Sequence, residues 1–311
     1  MNLAHIHILL NHFPTVGTIV TLGLFILGLI TKSEDLKRAS LVVFVGLGLV
    51  AIVTYVTGAA AEEQIKAIPG VSKTGIEAHK DAALLAFAMM QITAMAAWIG
   101  LWQMRRIKRA PGTTMTVVLI FAVLSLGLMA QAANIGGEIR HPEILASPSE
   151  ATNPSSSLIS ATAIGKFVVG VPWMWPSCET LHFIGLSLLI GVVLLVDLRM
   201  LGVMKSVPFS AIHRLMPWAI LGFGINVLTG MAFFVGAPEQ YTQNIAFQWK
   251  MALVLIAGLN ALYFTLLDEA WELKAGDDAP LTAKVMAVAA IGLWVGVMYC
   301  GSMLPFIGNA F

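Results

Sequence analysis

The chain reads as long apolar runs separated by short polar breaks. Eight runs, at 13–31, 41–61, 82–104, 115–135, 180–203, 215–235, 248–267 and 285–307, are each close to the length that carries a helix across a bilayer. Inside lipid the backbone has no water to bond to, and an apolar run satisfies its own N–H and C=O groups only as a helix. The expected fold class is all-α, a polytopic membrane helical bundle. The longest stretch rich in proline, serine and other polar residues, PEILASPSEATNPSSS at 142–157, has four runs on each side of it and marks a boundary. Two four-helix halves follow, residues 1–150 and 178–311, joined by a connector over 151–177. Its second part, SLISATAIGKFVVGVPWMWPS, is too short and interrupted to span, and Trp173 and Trp175 favour the headgroup region. It reads as a helix along the outer surface of the membrane, either a plain connector or a lid over a cofactor or a quinone entrance.

Composition agrees with the pattern. With 58% hydrophobic and 11% charged residues and a mean hydropathy of +0.84, the chain lies outside the range of soluble domains. The net charge is +1. No basic face for nucleic acid is present, and no P-loop, HExxH or GxSxG motif. Twelve lysines and arginines fall in connections on one side of the bundle and six on the other. The positive-inside rule puts the richer side in the cytoplasm and both termini outside, as expected of a multi-pass protein of the bacterial inner membrane. Met1 to Asn11 carries no lysine or arginine, and the first run ends in TKSEDLKR. That charge order is wrong for a signal peptide, so the segment reads as a retained first helix. Cys178 and Cys300, though both near the outer face, read as unpaired small hydrophobes.

The seven histidines carry the chemistry. His5, His7 and His12 precede or open the first helix, His79 opens the third, His141 follows the fourth and His182 opens the fifth. All six lie on the outer side, and only His213 is cytoplasmic. One histidine at a membrane threshold is an ordinary interfacial residue. Six on one side, at separate helix ends, point to a ligand set. Haem b suits such a set, because its iron takes an axial nitrogen on each face of a flat apolar ring and two helices can supply them. His7 and His12 are five residues apart, about 140° around a helix, and so would serve different irons, with His79 and His141 as opposite ligands. The absence of CxxCH argues against covalent attachment. Met89, Met90, Met95, Met200, Met204 and Met216 form no tight thioether cluster and read as packing. Copper remains the alternative, helped by His5-x-His7.

His7-Ile-Leu-Leu-Asn-His12-Phe-Pro resembles the HPxxxHFP opening motif of an uncharacterised bacterial four-helix membrane family thought to bind haem. Thr57-Gly58, His79 and Gly136-Gly137-Glu138-Ile139-Arg140-His141 resemble its later landmarks, and the likeness covers residues 1–145. The resemblance implies that His7, His12, His79 and His141 bind two b haems near the outer face. Ile8 stands where that family has proline. The second half resembles a different uncharacterised bacterial membrane family over 175–270, through Glu179-Thr-Leu-His182-Phe-Ile-Gly185, Asp197-Leu-Arg199-Met-Leu-Gly202, Pro217-Trp218, Thr229-Gly230, Phe247-Gln-Trp-Lys250 and Ala257-Gly258-Leu-Asn260. No activity comes with it.

In that half, Asp197 so close to Arg199 reads as a paired or hydrogen-bonded network, either a structural anchor or part of a proton or quinone site. His182 and His213 sit at opposite ends of a bundle about 30 Å thick and cannot share an iron. A third haem between His5 and His182 is a further expectation. Lys250 is expected either to snorkel or to hold a haem propionate or quinone carbonyl through a charge-assisted hydrogen bond. Three functions compete: an electron-transfer cytochrome that works with quinol and a membrane or periplasmic redox partner, a copper-handling membrane protein, and a non-redox structural subunit of a larger complex. The histidine cluster favours the first, a component of an oxidoreductase system rather than a stand-alone enzyme.

Overall fold

The computed structural model describes residues 3–66, 71–109, 111–140 and 160–307. The expected boundary segment 142–157 and His141 lie outside the described residues. The elements are α1 (Leu3–Leu10), α2 (His12–Ile30), α3 (Glu34–Ile65), α4 (Lys73–Ile107), α5 (Gly112–Arg140), α6 (Ala161–Gly170), α7 (Met174–Met200), α8 (Phe209–His213), α9 (Met216–Gly236), α10 (Pro238–Thr242), α11 (Ile245–Leu266), α12 (Asp268–Trp271) and α13 (Leu281–Met303). Among the described residues eight segments are long and apolar enough to cross a membrane: α1 with α2, α3, α4, α5, α7, α8 with α9, α11, and α13 with its final turn. The protein is an all-α polytopic membrane bundle. Its spans go antiparallel, gathering the basic turns at one end, here the basic end, and the described outer histidines at the other, the histidine end.

Local chemistry sets the helix ends. Ser33 accepts the Leu36 N–H and is followed by Glu34 and Asp35, so a side-chain cap and two carboxylates meet the positive end of α3. Ser72, Ser160 and Asn244 cap α4, α6 and α11 in the same way. Lys32 and Lys108 take left-handed backbone at φ 57° and 59°, ending α2 and α4.

The first half packs α2, α3, α4 and α5 around Phe25, Phe44, Met90 and Val118. In the second, α7 lies along α9 and α11 along α13. Gly185 and Gly222 let α7 and α9 cross backbone to backbone, since a Cβ on Gly185 would stand 2.9 Å from the Gly222 carbonyl oxygen. The halves meet where α3 and α4 touch α11 and α9. At the basic end Arg105 Nε donates to Thr265 O at 2.8 Å and Trp102 Nε1 to His213 O at 3.0 Å across that seam. Ile19, Val20, Leu228, Val285, Val288 and Val295 instead point outward, each more than half exposed. Such apolar faces suit lipid, not water.

The expected Asp197–Arg199 network is not what forms. Two residues apart on a helix is 200°, so the side chains leave on opposite faces. Arg199, fully buried, donates to Val207 O at 2.7 Å, Lys274 O at 2.8 Å and Asp277 O at 3.2 Å. It thereby ties the α7–α8 turn to the α12–α13 turn, while Asp197 turns inward without it. Arg199→Leu would leave three carbonyls without their charged donor. We expect an unfolding free energy lower by about 3 kcal/mol or more, read as a lower Tm in detergent, with Arg199→Lys recovering part of the loss.

Candidate functional site

A cavity of about 1360 Å³ opens at the histidine end of the first half. The start of α1 and α2, the end of α3, the start of α4 and the end of α5 surround it, and α6 with residues 234–238 forms the remaining wall. His7, His12 and His79 all lie on it. Ala51, Ala86, Phe87 and Met129 make its lining apolar, and Lys80 and Lys166 bring positive charge to it. Lys80 is paired with Glu62 at 3.2 Å.

Two of the imidazoles are held identically. His7 Nδ1 bonds to Thr54 O at 2.9 Å and His79 Nδ1 to Ala132 O at 2.9 Å. A carbonyl oxygen only accepts, so Nδ1 carries the hydrogen in both rings. Nε2 then keeps its lone pair, the arrangement by which a second-shell carbonyl prepares a histidine to ligate a metal. Four residues beyond each carbonyl stands a glycine that leaves room for the ring. A Cβ on Gly58 would come within 3.1 Å of His7 Cε1, and one on Gly136 within 2.9 Å of His79 Cε1. The two rings are within electrostatic reach of each other.

The unit recurs in the second half. His182 Nδ1 meets Thr229 Oγ1 at 2.7 Å, and that hydroxyl donates its own hydrogen to Ile225 O at 2.7 Å. The oxygen must therefore accept, which gives His182 the same protonation pattern. A Cβ on Gly230 would stand 3.9 Å from His182 Cε1, an ordinary contact. On α11 and α13 Lys250 takes the histidine's place, its Nζ 3.5 Å from where a Cβ on Gly301 would be. His182 and Lys250 are in electrostatic reach of each other, as His7 and His79 are. The close ring-against-glycine clearance is thus confined to His7 and His79, while His182 and Lys250 stand at ordinary contact distance from their glycines.

His12 is exposed on the cavity wall. Asn11, beside it, has a buried Oδ1 with no donor among the described residues. His5 is exposed on α1, which packs on α3 and α2, whereas His182 sits on α7 against α9. Neither lines the cavity, so the structure does not bring His5 and His182 together there. Lys250 is half-buried beside Gly301 and likewise lies off the cavity wall. His213 is buried at the basic end with Trp271 at 4.4 Å and Trp102 at 5.6 Å between ring centres, and its Nε2 has no hydrogen-bond partner among the described residues. Met90 and Met129 sit in the core around the Thr18 hydroxyl. Among the described residues no three His, Cys, Asp or Glu side chains gather as a metal site, and both cysteines are free.

The sequence reading had the histidines and noticed Thr57-Gly58, Gly136-Gly137 and Thr229-Gly230, but not that the glycines clear space for rings on a neighbouring helix. It set His79 and His141 as the ligands opposite His7 and His12, and within the described residues His79 lies in electrostatic reach of His7. Tyr55, on the same wall between Phe87 and Phe234, carried no sequence signal.

Adjacent glycines on α5 separate the packing role from the backbone role. A Cβ on Gly136 meets the His79 ring, but one on Gly137 meets nothing within 4 Å. Gly136→Ala is expected to cost about 1–3 kcal/mol by overpacking and Gly137→Ala to be neutral or slightly stabilising, measured as unfolding in detergent. Comparison with family models, with curated proteins and with solved structures returns no match for this chain.

Proposed function

We propose that this protein is a membrane b-type cytochrome that relays electrons at the outer, periplasmic face of a bacterial inner membrane. The observation that carries the reading is the pair of imidazoles, His7 and His79, each with Nδ1 held by a carbonyl and Nε2 free of hydrogen, on the wall of one large apolar cavity. The donor set, the apolar walls and the glycine clearance fit a haem. His7 and His79 would hold one iron, and His12 with His141 a second. Lys80 and Lys166 would meet the propionates by charge-assisted hydrogen bonds.

Haem iron supplies one-electron chemistry at a potential set by its ligands, hydrogen bonds and burial. The chain's part is to fix the imidazoles, since the carbonyls of Thr54 and Ala132 prevent either ring from turning. Its mostly apolar walls suit the flat apolar ring. The likeness of residues 1–145 to the HPxxxHFP family supports the same ligand set. At the basic end His213 packs between two tryptophans, which supports a relay along the outer face rather than across the bilayer. Quinol or a periplasmic or membrane-bound redox protein would exchange electrons there, with α6 as the cover of the cavity. Membership of a larger complex goes with this reading.

The test is a reduced-minus-oxidised spectrum with haem quantified as the pyridine haemochrome. We expect about two b haems per chain, dropping to about one in His7→Ala, in His79→Ala and in the double variant alike. Additive loss in the double variant would separate His7 from His79. A colourless protein, whether it carries copper or no metal, would sink the cytochrome.

A further inference from the structure

A second cavity lies at the centre of the molecule, where α3, α4, α7, α9, α11 and α13 converge. It holds about 100 Å³, several times the 10–15 Å³ or so that one water needs. Its walls are mostly apolar, with Trp98, Phe223 and Trp294 among them. One charged side chain faces it. Asp197 is 5% exposed, lines the cavity, and its Oδ2 has no hydrogen-bond partner among the described residues. Arg199, on the same helix, is turned away and committed to three carbonyls. From the other five helices the wall carries no titratable group, and its polar members are the amides Gln91 and Asn260. Gln91 Nε2 donates to Gly48 O at 2.9 Å and Asn260 Nδ2 to Met286 O at 3.2 Å.

An isolated carboxylate in so apolar a place is costly, and an intramembrane acid without a partner marks a functional group more often than a structural one. A polar cavity lies close to it on the side of the basic end. A cavity of about 200 Å³ at the basic end is lined by Glu34, Asp35, Arg38, Arg105, Lys108 and Thr265. Thr265 Oγ1 accepts from Trp98 Nε1 at 3.4 Å, and Trp98 lies on the central wall. Phe264, the neighbour of Thr265, also faces the central cavity. One layer of side chains therefore separates the two spaces.

We propose that Asp197 and the central cavity form a proton-binding site, reached by water from the basic end past Thr265 and Trp98. In loading, a hydronium in the cavity gives its proton to Oδ2, one O–H bond forming as another breaks and a neutral water remaining. Unloading reverses the step. The site is a cavity separate from the one that His7 and His79 line, and it stands independently of the haem reading.

Infrared spectroscopy of the purified full-length protein tests it through the C=O stretch of the protonated carboxyl group. We expect such a band in the wild type, its loss in the near-isosteric Asp197→Asn, its return in Asp197→Glu, and a reversible downshift soon after transfer to D2O. Thr265→Val, which removes the hydroxyl that accepts from Trp98, should slow that downshift. A carboxyl C=O region that Asp197→Asn leaves unchanged at every pH would show a carboxylate that takes up no proton and overturn the proposal. So would a band that resists exchange for hours, the mark of an acid sealed in for structure. A shift driven by sodium but not by pH or D2O would overturn it in favour of a cation site, and an unaltered exchange rate in Thr265→Val would overturn the route.

Discussion

Everything in this bundle depends on one constraint: in lipid a polar group has no water to fall back on, so its partner must come from the protein or from something the protein binds. The long helices are the backbone's answer. Thr18, Thr21, Ser40, Thr57 and Thr93 close their hydroxyls onto carbonyls one turn back. Arg199 shows how far the constraint extends, since a fully buried guanidinium is tolerable only because three carbonyls from two turns surround it.

The same constraint gives meaning to the polar atoms left over. At the histidine end the imidazoles of His7, His79 and His182 each satisfy one nitrogen and leave the other unbonded to any described residue. In the centre Asp197 leaves a carboxyl oxygen unpaired. A soluble protein would hydrate such atoms at little cost. In this bundle His7 and His79 face the cavity at the histidine end and Asp197 the one at the centre, whereas His182 lines neither.

A tight contact between an imidazole and a glycine on the adjoining helix occurs twice, in His7 with Gly58 and His79 with Gly136. In the second half His182 and Lys250 come only to ordinary van der Waals distance of the place a Cβ on Gly230 or Gly301 would take. Lys250 also differs chemically. An amine is a strongly hydrated point charge and an imidazole a flat ligand, so the two halves present different chemistry on the same scaffold.

Helix number, class and the crowding of histidines at one end were legible in the sequence, because crossing lipid requires a run of apolar residues long enough to be seen without knowing its neighbours. Helix positions also followed, short by several residues at ends such as Lys73–Ile107 and Glu34–Ile65, where polar turns continue helices beyond the apolar run. Tertiary structure alone decided which groups meet. Asp197 and Arg199 are neighbours in sequence yet face opposite ways, for a helix turns 100° per residue. His7 and Thr54, or Arg199 and Lys274, are distant in sequence yet bonded, because only the packing of one helix or turn on another brings a donor to a carbonyl. Glycine's role at Gly58 and Gly136 was invisible for the same reason: the ring that needs the space belongs to another helix.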